Sequence, residues 1–114
     1  MARADFLKEM QLMMRLGRHP CLVNLLGVCT AKPPERLVLE YLPGNSLESF
    51  LNGSGGAQLR PPDYLLITHR IALGMQALAA RGVIHRDLAC RNILVGEQLT
   101  IKVADFGCGP PSPC

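Results

Sequence analysis

Several signals are missing from these 114 residues, and each absence excludes something. No apolar run approaches the eighteen or so residues that cross a bilayer, and the start, with Arg3, Asp5 and Lys8, does not read as a secretory signal. A soluble chain with no membrane segment is expected. The twelve Lys and Arg residues are scattered and the net charge is only +3, so the dense basic stripe of a nucleic-acid surface is lacking. Five cysteines, at 21, 29, 90, 108 and 114, form no CxxC pair and no even framework, which fits reduced thiols. Cys108 and Cys114, with no second pair and no nearby histidine, make a poor zinc site. There are no internal repeats.

What remains is 48% apolar residues in a length suited to one compact unit. Phe6, Met10, Met13 and Met14 recur at helical spacing and predict a helix over 5–16 that stops at Gly17. Residues 22–29 and 37–41 read as a strand pair, separated by the turn Ala31-Lys32-Pro33-Pro34. A short helix over 46–51 is expected, capped by Asn45 or Ser46, followed by a loop from Asn52 to Arg60. Pro61-Pro62-Asp63 opens the longest periodic stretch, in which Ile67, Ile71, Met75 and Leu78 lead to the terminator Gly82. Residues 83–84, 93–95 and 99–103 read as short strands, the last two turned at Gly96-Glu97. The run from Cys108 to Cys114 has three prolines and no apolar pattern, and disorder is expected there.

The chemistry concentrates in His85-Arg86-Asp87-Leu88-Ala89-Cys90-Arg91-Asn92 and in Asp105-Phe106-Gly107. In-line phosphoryl transfer needs a carboxylate to accept or orient a hydroxyl proton, and hard oxygen donors to hold magnesium against a triphosphate. Asp87, Asn92 and Asp105 carry those atoms, and a hairpin between Asn92 and Asp105 could return them to one cleft. The octet and the triplet, in this order and spacing, match the catalytic loop and magnesium-binding triplet of protein kinases.

From Asp5 to Gly107 the chain resembles the protein tyrosine kinases. Ala89 and Arg91 after the catalytic aspartate look like a receptor tyrosine kinase of the fibroblast growth factor receptor type. The resemblance implies an α+β fold that is part of a kinase domain over residues 1–107: the end of the N-lobe, the hinge, and the C-lobe as far as the Asp-Phe-Gly triplet. It implies ATP and Mg2+ as cofactors and protein tyrosine as acceptor. Asp87 would be the catalytic base, Arg91 would help place the tyrosine hydroxyl, and Asn92 and Asp105 would bind magnesium. Arg86 would pair with a phosphorylated activation loop. Asp-Phe-Leu-Lys-Glu resembles the start of the regulatory helix, making Glu9 the partner of an ATP-orienting lysine, and Met13, Leu25, His85 and Phe106 resemble the stacked apolar spine. In the strand and hinge 37–42, Leu39 would be the gatekeeper, the backbone of Glu40 and Leu42 would face the adenine edge, and Leu94 would lie on its other face. As bare sequence these leucines read more often as plain core, and the adenine contact comes only from the resemblance. His85 reads as structural rather than as a general base, and Cys90 as a small core residue or a reactive thiol.

Cys21 and Cys108 depart from the family pattern. The 114 residues also contain no glycine-rich phosphate loop and no phosphate-pairing lysine strand, and the proline-rich end does not resemble an activation segment. Two outcomes are expected from the residues: a catalytic fragment of a longer receptor, at the cytoplasmic side of a membrane, or a truncated, inactive product that competes for partners or has no function. Either way the long helix is expected to leave part of its apolar face exposed.

Overall fold

A computed structural model describes residues 3–43 and 45–104. Asp105, Phe106 and the tail expected to be disordered lie outside the described residues. The elements run α1 (Arg3–Leu16), β1 (Leu25–Cys29), β2 (Arg36–Leu39), α2 (Leu47–Asn52), α3 (Ser54–Ala57), α4 (Pro61–Ala80), β3 (Ile93–Val95) and β4 (Ile101–Val103). Single 3-10 turns occupy Cys90–Asn92 and Glu97–Leu99. The strands form two separate antiparallel pairs, β1 with β2 and β3 with β4.

The α1 helix buries Phe6, Met13 and Leu16, one stripe at positions i, i+7 and i+10, while Lys8, Gln11 and Arg15 face outward. Gly17 ends it at φ +69°, a conformation that costs glycine little. In α2 the Ser46 hydroxyl accepts the Ser49 N–H at 3.1 Å, the ordinary N-cap bond. The α4 helix starts on two prolines, where the missing N–H groups have no intrahelical partner to lose, and Asp63 reaches back to accept the Arg60 N–H at 2.9 Å. Its inner face is Ile67, Gly74, Ala77 and Leu78, with Ile71 and Met75 packed at the margin.

The main core gathers Met13 and Leu16 from α1, Leu22 from the linking segment, Leu47 from α2, the inner face of α4, and Ile93, Val95, Ile101 and Val103 from the second sheet. β3 and β4 are buried on alternate residues, as a two-stranded ribbon lying on a helix must be. Val103 is fully enclosed: its N–H donates to Cys21 O at 2.9 Å, its carbonyl accepts from Val23 at 3.0 Å, and Leu22 pairs with it in a parallel bridge. The linking segment after α1 is therefore stitched to β4.

Four local expectations need correction. The stretch Asn52 to Arg60 is not wholly a loop, because Ser54–Ala57 forms one helical turn against α2. Its Ser-Gly-Gly-Ala sequence has poor helix propensity, so only packing reveals it. Residues 83–84 form no strand, since the N–H of Val83 closes back on Leu78 O at 2.9 Å. Strand β1 starts at Leu25 rather than Leu22, because residues 21–23 bond to β4 instead. Leu99 sits in the turn rather than in β4: Gln98 and Leu99 have φ of 55° and 57°. Arg70 of α4 holds that turn by donating from Nη1 to Leu99 O at 2.5 Å.

The expectation of an incompletely covered long helix agrees with the exposure of Leu65 at 75% and Tyr64 at 49%. On the first sheet Leu26, Val28, Val38 and Leu39 also remain open.

Gly74 marks the tightest approach of α4 to the rest. A Cβ there would lie 2.6 Å from the Cys21 carbonyl oxygen and 2.8 Å from Val103 Cγ2. Backbone cannot step aside as a side-chain tip can, so Gly74→Ala is expected to cost about 1–3 kcal/mol despite the better helix propensity of alanine. Urea unfolding of the two proteins measures this, and an unchanged or higher midpoint contradicts the packing described.

Candidate active site

The loop from Gly82 to Asn92 is placed by both of its ends. At the start, α4 closes in a Schellman motif: Gly82 N–H donates to Ala79 O at 3.1 Å, Val83 N–H donates to Leu78 O, and Gly82 takes φ +73°. At the far end the 3-10 turn Cys90–Asn92 passes directly into β3, which pairs with β4. Ala104 N–H donates to Asn92 O at 2.8 Å, so the last described residue before Asp105 is tied to the loop.

Within the loop His85 spends both ring nitrogens. Nδ1 accepts the Asp87 N–H at 3.1 Å, and Nε2 lies 2.7 Å from Ala104 O, which requires a proton on Nε2. No lone pair is left for proton abstraction, and the ring instead links the Asp87 backbone to the strand end that leads to Asp105.

The Asp87 carboxylate is held on both oxygens. Arg91 Nη2 donates to Oδ1 at 2.5 Å, and Asn92 Nδ2 donates to Oδ2 at 3.1 Å and to the Asp87 carbonyl at 2.7 Å. The bond from Arg91, then that from Asn92, holds the Asp87 carboxyl below its usual range. An aspartate of this kind is ionised at neutral pH and orients a hydroxyl better than it retains its proton. Asn92 is buried and commits its amide nitrogen to Asp87, which points to its Oδ1 as the atom available to a hard cation. Arg86 and Cys90 are exposed. Among the described residues no three His, Cys, Asp or Glu side chains converge as a metal cluster, and Asp105, the other expected ligand, is not among them.

The expected adenine-facing residues are placed unevenly. Leu42 is buried and Leu94 half-buried; the Leu42 carbonyl accepts the Asn45 N–H at 3.4 Å, Val95 N–H donates to Asn45 O at 2.8 Å, and Ser46 bridges Leu94. Leu39 is 42% exposed at the end of β2. Met13 is buried in the main core and Leu25 packs at its edge, whereas Glu9 is half-buried on α1.

Sequence reasoning missed the role of the Glu40 side chain. Its Oε1 accepts the Asn24 N–H at 2.8 Å and pairs with Lys102 Nζ at 2.7 Å, while Glu40 N–H donates to Asn24 O at 3.0 Å. The pair is largely sheltered and joins the segment after β2 to β4 and to the start of β1. The alternation of Lys102 with Ile101 and Val103 places the lysine on the other face of β4, but nothing in the sequence names its partner. Asn24 also accepts the His19 N–H at 3.1 Å, and His19 Nδ1 accepts from Cys21 N–H at 3.0 Å.

A family model described as protein tyrosine and serine/threonine kinase matches residues 1–110. The chain belongs to this kinase family. It is 43% identical over 112 residues to fibroblast growth factor receptor 1 of Dugesia japonica, covering 90% of this chain and 13% of the receptor. It is 45% identical over 107 residues to tyrosine-protein kinase Abl of Drosophila melanogaster, covering 94% of the chain and 6% of that protein. It is 43% identical over 103 residues to tyrosine-protein kinase FRK of Homo sapiens, covering 90% of the chain and 20% of that protein. The chain thus spans a fifth or less of the length of these relatives. The helices and two small sheets are the part of an α+β tyrosine-kinase domain that runs from the end of the amino-terminal lobe, through the hinge, into the carboxy-terminal lobe.

Two measurements check the electrostatics around the hinge. Lys102→Met leaves Glu40 sheltered with its cation removed, and is expected to lower stability by about 1–3 kcal/mol, while the double variant with Glu40→Gln recovers part of the loss. Equal losses in the single and double variants contradict the pairing. His19 is held below its usual pKa by burial first, then by Arg81 and Lys102. The unfolded chain takes up that proton first as pH falls. The contribution is therefore complete above the ordinary value of 6.5 and declines as pH drops through the lowered folded value. Urea midpoints at pH 7.5 and 5.5 are expected to differ less in His19→Gln than in the parent sequence.

Proposed function

We propose that these residues form the catalytic heart of a receptor-type protein tyrosine kinase that transfers phosphate from ATP to protein tyrosine in a longer parent. The observation that carries the reading is the doubly held Asp87 carboxylate, fixed by Arg91 and Asn92 in a loop that His85 ties to the strand leading to Asp105. In this reading Asp87 orients the substrate hydroxyl and receives its proton. Arg91 shares its guanidinium between Asp87 and the incoming tyrosine and phosphate. Asn92 through Oδ1, with Asp105, would hold magnesium, an oxygen donor set of the kind that ion prefers. When bound, that ion would neutralise charge on the triphosphate. The backbone of Glu40 and Leu42 would meet the adenine edge, with Leu39 beside it and Leu94 beneath. Glu9 would face an ATP-orienting lysine, Met13, Leu25, His85 and Phe106 would stack between the lobes, and Arg86 would receive a phosphorylated activation loop. Ala89 and Arg91 support the tyrosine specificity, and in a receptor the catalytic part would lie on the cytoplasmic side of the membrane.

The 114 residues alone are proposed to be inactive, because they supply no glycine-rich loop and no phosphate-pairing lysine. Asp87→Asn in a parent-length protein is expected to lower the rate of tyrosine phosphorylation by roughly 10²–10⁴-fold at nearly unchanged ATP affinity. Full activity in that variant overturns the role of Asp87. ATP-dependent phosphorylation by the purified 114-residue chain, abolished by the same substitution, overturns the proposed inactivity.

A further inference from the structure

The two long helices end beside each other, and one side chain touches both ends. The guanidinium of Arg81 donates from Nε to Leu16 O, in the last turn of α1, at 3.0 Å. It donates from Nη1 to Ala77 O, in the last turn of α4, also at 3.0 Å. Carbonyls in a last helical turn have no N–H ahead of them within the helix and carry the negative end of its dipole. A planar cation with donors on two edges satisfies two such groups at once, whereas an ammonium reaches them only as a point charge.

The position of Arg81 in the chain gives this contact its reach. It is the C-cap of α4, and Gly82 and Val83 complete the Schellman turn from which the chain leaves towards His85 and Asp87. Gly82, at φ +73°, fixes the exit direction. On its other side the guanidinium grips the end of the helix that carries Glu9. Met13 and Leu16 of α1 share the main core with Ala77 and Leu78 of α4, and the Arg81 guanidinium adds a polar tie between the two helix ends.

We propose that Arg81 is a positioning residue that couples the orientation of α1 to the exit of α4 into the catalytic loop, so that the Glu9 and Asp87 ends of the site move as one body. The importance of that coupling for phosphoryl transfer rests on the kinase reading above, but the coupling itself does not. No part of the contact touches nucleotide or substrate. The guanidinium acts through the two helix ends it joins. Without it, α1 keeps its apolar stripe on the core but loses the polar tie that sets its angle to the loop.

Amide hydrogen exchange of the whole chain, without nucleotide, tests this in Arg81→Ala and Arg81→Lys. In Arg81→Ala, exchange is expected to rise roughly tenfold or more both in residues 13–19 and in residues 82–87, while the centre of α4 over residues 67–76 keeps its protection. Arg81→Lys, with one ammonium in place of the fork, is expected to restore protection in one of the two segments and not the other. Unchanged exchange in both segments overturns the proposal. So does a uniform rise across the chain, which marks plain loss of stability, and so does full restoration in both segments by lysine, which shows that the two-pronged contact is not needed. Since the readout involves no ATP, failure of this coupling is distinguishable from failure of the kinase reading, which the Asp87→Asn comparison decides.

Discussion

The backbone of Val103 is the point on which the rest of the molecule rests. Its amide and carbonyl both bond to the linking segment at Cys21 and Val23, its strand pairs with β3, and its side chain lies where Gly74 of α4 leaves room. Three parts of the chain far apart in sequence meet there. Burying a peptide group costs free energy unless both its donor and its acceptor are satisfied, and at this position neither satisfying group is local. The strand preceding Asp105 therefore has little freedom to move without disturbing the segment after α1 and the face of α4 together.

The loop from Gly82 to Asn92 inherits its rigidity from that arrangement. Ala104, one residue further on, gives its N–H to Asn92 and its carbonyl to His85, so the loop is fastened to β4 from both sides. Asp87 then needs only short reaches, from Arg91 four residues on and from Asn92 five residues on. The side chains that set its ionisation come from within the octet, while the scaffold that orients the octet comes from β4 and α4. This division explains how the geometry of a short motif comes to depend on residues scattered from Cys21 to Val103.

Much of this was legible in the residue pattern. The periodicity of α1 and α4, the proline start of α4, the capping serine of α2 and the hairpin before Asp105 follow from local propensities that the final packing agrees with. The octet stood out because ionisable and amide side chains recur in it at close spacing. The turn at Ser54–Ala57 was hidden, since glycine-rich sequence lowers helix propensity and only contact with α2 compensates. The left-handed Gln98 and Leu99 were hidden for a related reason: a distant arginine, Arg70, stabilises a backbone that the local sequence would not choose.

The sequence by itself determined the two long helices, the two strand pairs, the octet from His85 to Asn92 and the kinase resemblance, because each is written in spacings of a few residues. Only the tertiary structure decided which distant groups meet: Glu40 with Lys102, Arg70 with the β-turn, Arg81 with the ends of two helices, and Val103 with Cys21 and Val23. The physical reason is that long polar side chains and backbone amides carry no mark of their partners in sequence. Their pairings are selected when burial removes water as the alternative, and that happens only once the apolar faces have come together.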